Sequence, residues 1–270
     1  IGNTTTVPFV GDLMASRWGF ETAMVTQFKD NKFEKVFYED DKTMANSDYK
    51  KIYFIPELET RLQYCLINYR SEDKLIKNKV SSHLQLLYNE VNREAQRVGA
   101  TANDIIFVNE FTLSKFDSAT YKQASDFFIK LKRVYMNRYN EADARKEAIV
   151  EEMTSTPEKA VEFEHFKADY HNEVIADMVK NLAETHRSVE KDGKLIQKIY
   201  PIYKDPDPDH TIDFNAQFYM PRKHFLGRNI DTFYFNLGVI WSMSLALAIA
   251  LYFDVLRKII DGIGNLSKPR

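Results

Sequence analysis

Glu162 and His165 stand three apart in the run EFEHFKADYH, residues 162 to 171, and E-x-x-H is the spacing that di-iron carboxylate bundles use to hold metal. A complete site of that kind needs a second such pair on a partner helix, and the chain contains none. His165 with Asp169 or His171 is likewise an incomplete set, so the pattern predicts a solvated helical face rather than a metal centre. His186 falls on an apolar stripe and reads as a packed histidine. Cys65 is the only cysteine, which excludes an intrachain disulfide, and its place on the apolar face of a helix predicts a core thiol. There is no G-x-S-x-G elbow. There is also no GxxxxGK[ST] loop to cradle phosphates, and nine glycines in 270 residues leave little room for a variant. The chain is expected to hold no cofactor and not to bind ATP by itself.

The charges that remain interesting lie in an apolar setting. Val7 to Phe28, VPFVGDLMASRWGFETAMVTQF, carries Asp12, Arg17 and Glu21, and charges inside such a segment must face protein or water rather than lipid. Arg17 and Glu21 are four apart and can pair on one helical face. Pro8 suits a helix start. The segment reads as a short amphipathic or re-entrant helical element at a membrane surface.

What would hold it there is the stretch Thr232 to Phe253, TFYFNLGVIWSMSLALAIALYF, which has no charge and is bracketed by Asp231 and Asp254. As a helix it reaches about 33 Å, enough to cross a hydrocarbon core of about 30 Å. Tyr234 and Tyr252 would lie about 27 Å apart, one ring at each membrane boundary. Arg257, Lys258, Lys268 and Arg270 follow it, and Arg257 and Lys258 are read as boundary residues on the tail side. Three basic residues just before the span, Arg222, Lys223 and Arg228, nearly balance the four after it.

Between these elements the chain is helical in pattern. Lys29 to Ile55 reads as a connector with one short helix. Pro56 opens a stripe of Leu58, Leu62, Leu66, Tyr69, Ile76, Val80, Leu84, Leu87, Val91, Ala95 and Val98, one helix of about forty residues with a kink at Ser71 to Asp73 and an end at Gly99. Asn103 to Phe111 is a loop or a single strand. Asp117 or Ser118 caps a second helix whose stripe is Tyr121, Phe128, Tyr135, Ala142 and Ile149, broken at Thr154 to Pro157. A third helix places Phe163, Phe166, Tyr170, Val174, Met178, Leu182 and His186 on one face. LIQKIYPIY, from Leu195, alternates loosely as a strand or extended segment. The fold class is mainly α, a long antiparallel helical bundle or hairpin with one C-terminal transmembrane helix and an N-terminal re-entrant or amphipathic helix. The expected divisions are residues 1–30, the membrane-proximal element; 31–220, the helical domain; and 221–270, the span with a short tail.

A charged fraction of 28% with a net charge of −2 fits one span and a large polar domain, and it argues against a nucleic-acid surface. A start at Ile1, with neither initiator Met nor signal sequence, is expected of a fragment or processed product.

The run Ser16-Arg17-Trp18-Gly19-Phe20-Glu21-Thr22-Ala23-Met24-Val25-Thr26-Gln27-Phe28 resembles a pattern in type-2 ABC exporter permeases of the ABCG-like branch. There, a segment of the form S-x-x-[RW]-[YW]-x-[FY]-E-[AG]-[LM]-x-x-x-x-F follows the fifth membrane helix as a re-entrant helix and precedes an external loop and the last span. Thr22 and Ala23 depart from its usual small-then-Leu pair. The chain has the same order of parts and is similar to the C-terminal part of such a permease, of the kind fused to an ATPase in Bacteroidota, with an enlarged external loop. The resemblance implies that Arg17, Trp18, Phe20 and Glu21 lie near an outer gate. It implies ATP and Mg in a nucleotide-binding domain outside this chain, the remaining transporter domains and membrane lipid as partners, and a dimer of permeases. It also implies a multi-pass protein of the bacterial inner membrane, with residues 29–220 extracytoplasmic. The alternative is a membrane-tethered helical adaptor or scaffold whose bundle binds a protein partner.

Overall fold

The computed structural model describes residues 9–208 and 216–254, so the expectations on Val7, Pro8, Arg257, Lys258, Lys268 and Arg270 lie outside the described residues. The chain is mainly helical. It divides into two compact units, one built on Phe28–Lys204 and the other on Thr6–Gln27 with Asp205–Arg270.

The first unit begins with α3 (Glu34–Tyr49), which follows α1 (Phe9–Asp12) and α2 (Ala15–Lys29) in the chain. Sixteen residues long, α3 runs through a π-helical turn at Lys50–Phe54 into α4 (Ile55–Asn68) without leaving right-handed helical dihedrals. The expected connector with one short helix is thus the first half of a continuous rod, and Pro56 lies inside it. A proline removes one backbone donor from an α-helical ladder. The widened π turn sits immediately before Pro56, where that bond is missing.

The stripe beginning at Leu58 folds as two helices rather than one kinked helix. α4 ends at Asn68, and Asp73 caps α5 (Lys74–Val98) by accepting from the amides of Leu75 and Ile76. Gly99, in the left-handed region at φ 71°, closes α5. Leu58, Leu62 and Cys65 on α4 and Val80, Leu84, Leu87, Val91 and Ala95 on α5 are fully buried, which is the core the stripe predicted. Asp117 caps α6 (Ser118–Met153), accepting from the amide of Thr120, and Phe128, Tyr135 and Ala142 of its stripe are buried.

Cross-helix contacts fix the directions. Tyr121 reaches Gln63, Arg145 reaches Asp40 and Lys146 reaches Asp41, so α6 runs antiparallel to the α3–α4 rod along its whole length. Tyr135 and Arg138 of α6 meet Glu94 and Arg97 of α5, which makes those two helices parallel. A parallel pair needs a crossing connection. Residues 102–110 supply it as a 3₁₀ helix (Ala102–Glu110) rather than the loop or strand expected.

The third expected helix is two, α7 (Pro157–Tyr170) and α8 (Glu173–Lys180), because His171 and Asn172 leave helical dihedrals and Asn172 caps α8. The face read as apolar is not the buried one on α8. Ala176 and Val179 are buried, whereas Val174 and Met178 are exposed, and His186 is exposed rather than packed. A hairpin of β1 (Ser188–Lys191) and β2 (Lys194–Gln197) follows, so the LIQ of the extended segment pairs with β1, and a buried 3₁₀ turn at Pro201–Tyr203 lies beyond it.

The second unit holds α1, most of α2, and a hairpin of β3 (Arg222–Phe225) and β4 (Arg228–Asp231) that the sequence reading did not anticipate. β4 leads directly into α9 (Thr232–Tyr252), which Asp231 caps through the amide of Phe233. α9 is long and apolar enough to cross a membrane. Only Thr232 and Asn236 in its first two turns are buried. A helix that is apolar all round belongs in an apolar surrounding, and among the described residues none of this helix from Leu237 onward is buried.

Candidate functional site

Trp18, Glu21, Val25 and Phe28 recur at spacings of three and four on α2, and that stripe is buried. The one charge on it, Glu21, is fully buried and therefore needs counter-charge and donors. It has both. Oε1 accepts from Lys223 Nζ at 2.5 Å and from the Tyr219 amide at 3.2 Å, and Oε2 accepts from Asn236 Nδ2 at 3.2 Å. Arg17 Nη2 stands 3.7 Å from Oε2, so the expected i,i+4 pair forms, and Arg17 also faces Asp12 at 3.2 Å.

The result is a chain of alternating charge, Asp12, Arg17, Glu21 and Lys223, with equal numbers of each sign. Balanced sign offsets part of the desolvation of a buried pair, although Arg17 Nε and Nη1 and Asn236 Oδ1 are buried without a hydrogen-bond partner among the described residues. Lys223 is 1% exposed, and burial pulls its ammonium below the usual lysine range against the opposing pull of Glu21. Trp18 roofs the cluster: the Arg17 guanidinium lies 3.8 Å from its ring centroid, its indole N–H donates to the Asp12 carbonyl, and its ring meets Phe235 at 6.0 Å. Asn236 Nδ2 also donates to the Trp18 carbonyl, so one amide from the second turn of α9 holds both Trp18 and Glu21 of the motif. Glu21 thus accepts three hydrogen bonds and faces Arg17, an arrangement that holds α2 in place. Phe20 borders this group through Phe218, over whose ring the Arg17 guanidinium lies at 5.5 Å. It is half exposed and stacks with Phe218 at 6.3 Å. Tyr234 and Tyr252 are 69% and 82% exposed on α9.

No protein-family model, curated protein or solved structure matches this chain.

Lys223 and Asn236 are the partners that sequence reasoning missed. In the sequence Lys223 reads as a flanking charge of the span; in the structure it is a buried ion-pair partner. The available signal was a shortage: an apolar element with two acids and one arginine needs one more cation. Nothing local identifies which, because Glu21 and Lys223 are far apart in the chain.

The helical unit carries a second buried polar network that the stripes concealed. Glu94 on α5 is fully buried and receives Lys50 from the π turn, Arg97 at 2.7 Å and the Tyr135 hydroxyl at 2.5 Å. One turn earlier, buried Glu90 accepts from the Leu195 amide at 2.7 Å and from Arg93 at 3.0 Å, tying β2 to α5. Burial alone would raise the Glu94 carboxyl. The charges of Lys50 and Arg97, with hydrogen bonds from Lys50 and Tyr135, hold it below its usual range. Glu162, His165 and Asp169 are exposed on α7, while His171 turns away to Glu34 at 2.5 Å. Among the described residues no group of three His, Cys, Asp or Glu side chains is placed to hold a metal. Cys65 is fully buried and points its thiol at the Val80 carbonyl, 3.8 Å away, and burial pushes that thiol up to about 12.

Proposed function

We propose that this chain is the C-terminal membrane part of a type-2 ABC exporter, which moves a hydrophobic or amphipathic substrate outward at the expense of ATP hydrolysed in a domain outside it. The observation that supports this reading is the treatment of Glu21. The motif glutamate is neither lipid-facing nor free in water; Arg17, Lys223 and Asn236 engage it at the base of an apolar helix of 21 residues. An element that is apolar, charged and tied to a spanning helix is what a re-entrant gate segment requires. In this reading α9 is the last span, Tyr234 and Tyr252 mark its boundaries, and residues 29–220 stand outside the bacterial inner membrane. A second copy completes the permease.

Export by the full-length protein tests it. Glu21→Lys places like charge against Lys223 and Arg17, and export should fall by about tenfold or more, as loss of a positioned pair of about 2 kcal/mol requires. Unchanged export would remove Glu21 from the gate. The coding sequence upstream of Ile1 tests the wider reading: an in-frame phosphate-binding loop, an ABC signature and five further apolar spans are expected.

The second reading, a tethered adaptor, draws on the helical unit. That unit has its own core, and Val161 on α7 and Val174 and Met178 on α8 are exposed. A start codon directly before Ile1 would favour the adaptor.

A further inference from the structure

The chain turns twice on the same two-residue backbone, once with a residue suited to water and once without. Asp192–Gly193 joins β1 to β2 with φ of 52° and 69°, and Leu226–Gly227 joins β3 to β4 with φ of 49° and 75°. Two successive left-handed residues make the tight turn that favours Asn, Asp or Gly at its first position. Asp192 satisfies that preference. Leu226 does not; its Cβ is strained there and its side chain is 63% exposed.

The position of the tip gives the leucine a use. The open end of the β3–β4 hairpin is tied to the first residue of α9, since the Thr232 amide donates to the Pro221 carbonyl at 3.0 Å and its hydroxyl to the Met220 carbonyl at 2.5 Å. The closed end lies against the following turn, where the Phe225 ring meets Phe235 edge-on at 5.9 Å. The hairpin therefore folds back along the start of α9, and its tip points the way the apolar helix runs. Leu226, next in the chain to Phe225, is exposed at the tip, as is Arg228 on the other side of the turn.

We propose that the Leu226 tip is an interfacial lipid anchor, seated at the headgroup–acyl boundary of the bilayer that α9 crosses, with Arg228 directed to lipid phosphate. The proposal rests on the reading of α9 as a span. Lipid around Leu226 offsets the strain of the turn, and it fixes the depth and rotation of the first turn of α9 as an aromatic belt does for other spans.

The test uses the whole chain in phosphatidylcholine–phosphatidylglycerol vesicles, with an environment-sensitive fluorophore on a cysteine introduced as Leu226→Cys, Asp192→Cys or Leu247→Cys. Unsubstituted chain, with Cys65 buried, reports background labelling. Lipids carry a nitroxide quencher either near the headgroup or deep in the acyl chain. The probe at 226 should lose most of its emission to the shallow quencher and little to the deep one, the probe at 247 the reverse, and the probe at 192 neither. Quenching at 247 with none at 226 would overturn the anchor and leave the span standing. No quenching at 247 would overturn the span and the anchor together.

Discussion

Glu94 and Glu21 are both fully buried carboxylates paired with a lysine, Lys50 partly exposed and Lys223 buried, and their surroundings differ. Around Glu94 the helical unit packs a continuous apolar core from Tyr49 through Tyr135, and Arg97, 43% exposed at its side chain, carries part of the charge to water. Around Glu21 the described part of the second unit buries Trp18, Met24, Val25 and Met220, and no partner of the carboxylate reaches solvent to a comparable degree. The ion pair is an addition to the core in one unit and the centre of the core in the other. Where apolar burial is plentiful a charged network adds specificity; where it is scarce the network carries the fold.

Breaking the Glu21 pair should have the largest effect. Glu21→Leu leaves Lys223 buried without a counter-ion, and about 3–5 kcal/mol of local stability should be lost. Amide exchange over α2 and β3–β4 would report it, with α5 and α6 unchanged; equal protection in both proteins would mean the pair is not the centre of that unit. Glu94→Leu should cost less, about 2 kcal/mol in the melting of the helical unit, because Lys50 also lies over the Phe54 ring, 3.5 Å from its centroid, and Arg97 can turn to water. Equal losses at the two sites would erase the distinction.

Acid should sharpen it further. Glu94 is held below its ordinary value of 4.5, so the unfolded chain takes up the proton first. The stability that Glu94 confers is complete above about pH 4.5 and is lost as the pH falls through its lower folded value. Melting temperatures of wild-type protein should therefore drop more steeply below that pH than those of Glu94→Gln, and parallel curves would contradict the assignment. The smallest effect is kinetic. With its thiol pushed up to about 12 and no exposure, Cys65 should react with a thiol reagent at pH 8 only as fast as the helical unit opens. Immediate labelling would show that α4 and α5 do not close over it.

Much of this architecture is written locally. Gly99 ends α5, Asp117 caps α6 and the uncharged run after Asp231 forms α9, because caps and apolar periodicity act within a few residues. Arg17–Glu21 was legible for the same reason. Lys223 was not, since its side chain reads as one more flanking charge until the fold brings it to Glu21. The breaks at Tyr69–Asp73 and His171–Asn172 were missed because an apolar stripe keeps its phase across a short interruption. Asp192–Gly193 carries an ordinary turn signal; Leu226–Gly227 does not, because its residue suits lipid better than the turn.

A double-mutant cycle on Glu21→Gln and Lys223→Met, read by denaturation of the whole chain in micelles, tests the central claim that this pair fastens the motif helix to the β3–β4 hairpin that leads into α9. The account predicts a coupling energy of about 2 kcal/mol or more between the two substitutions. Additive losses, with coupling indistinguishable from zero, would contradict it.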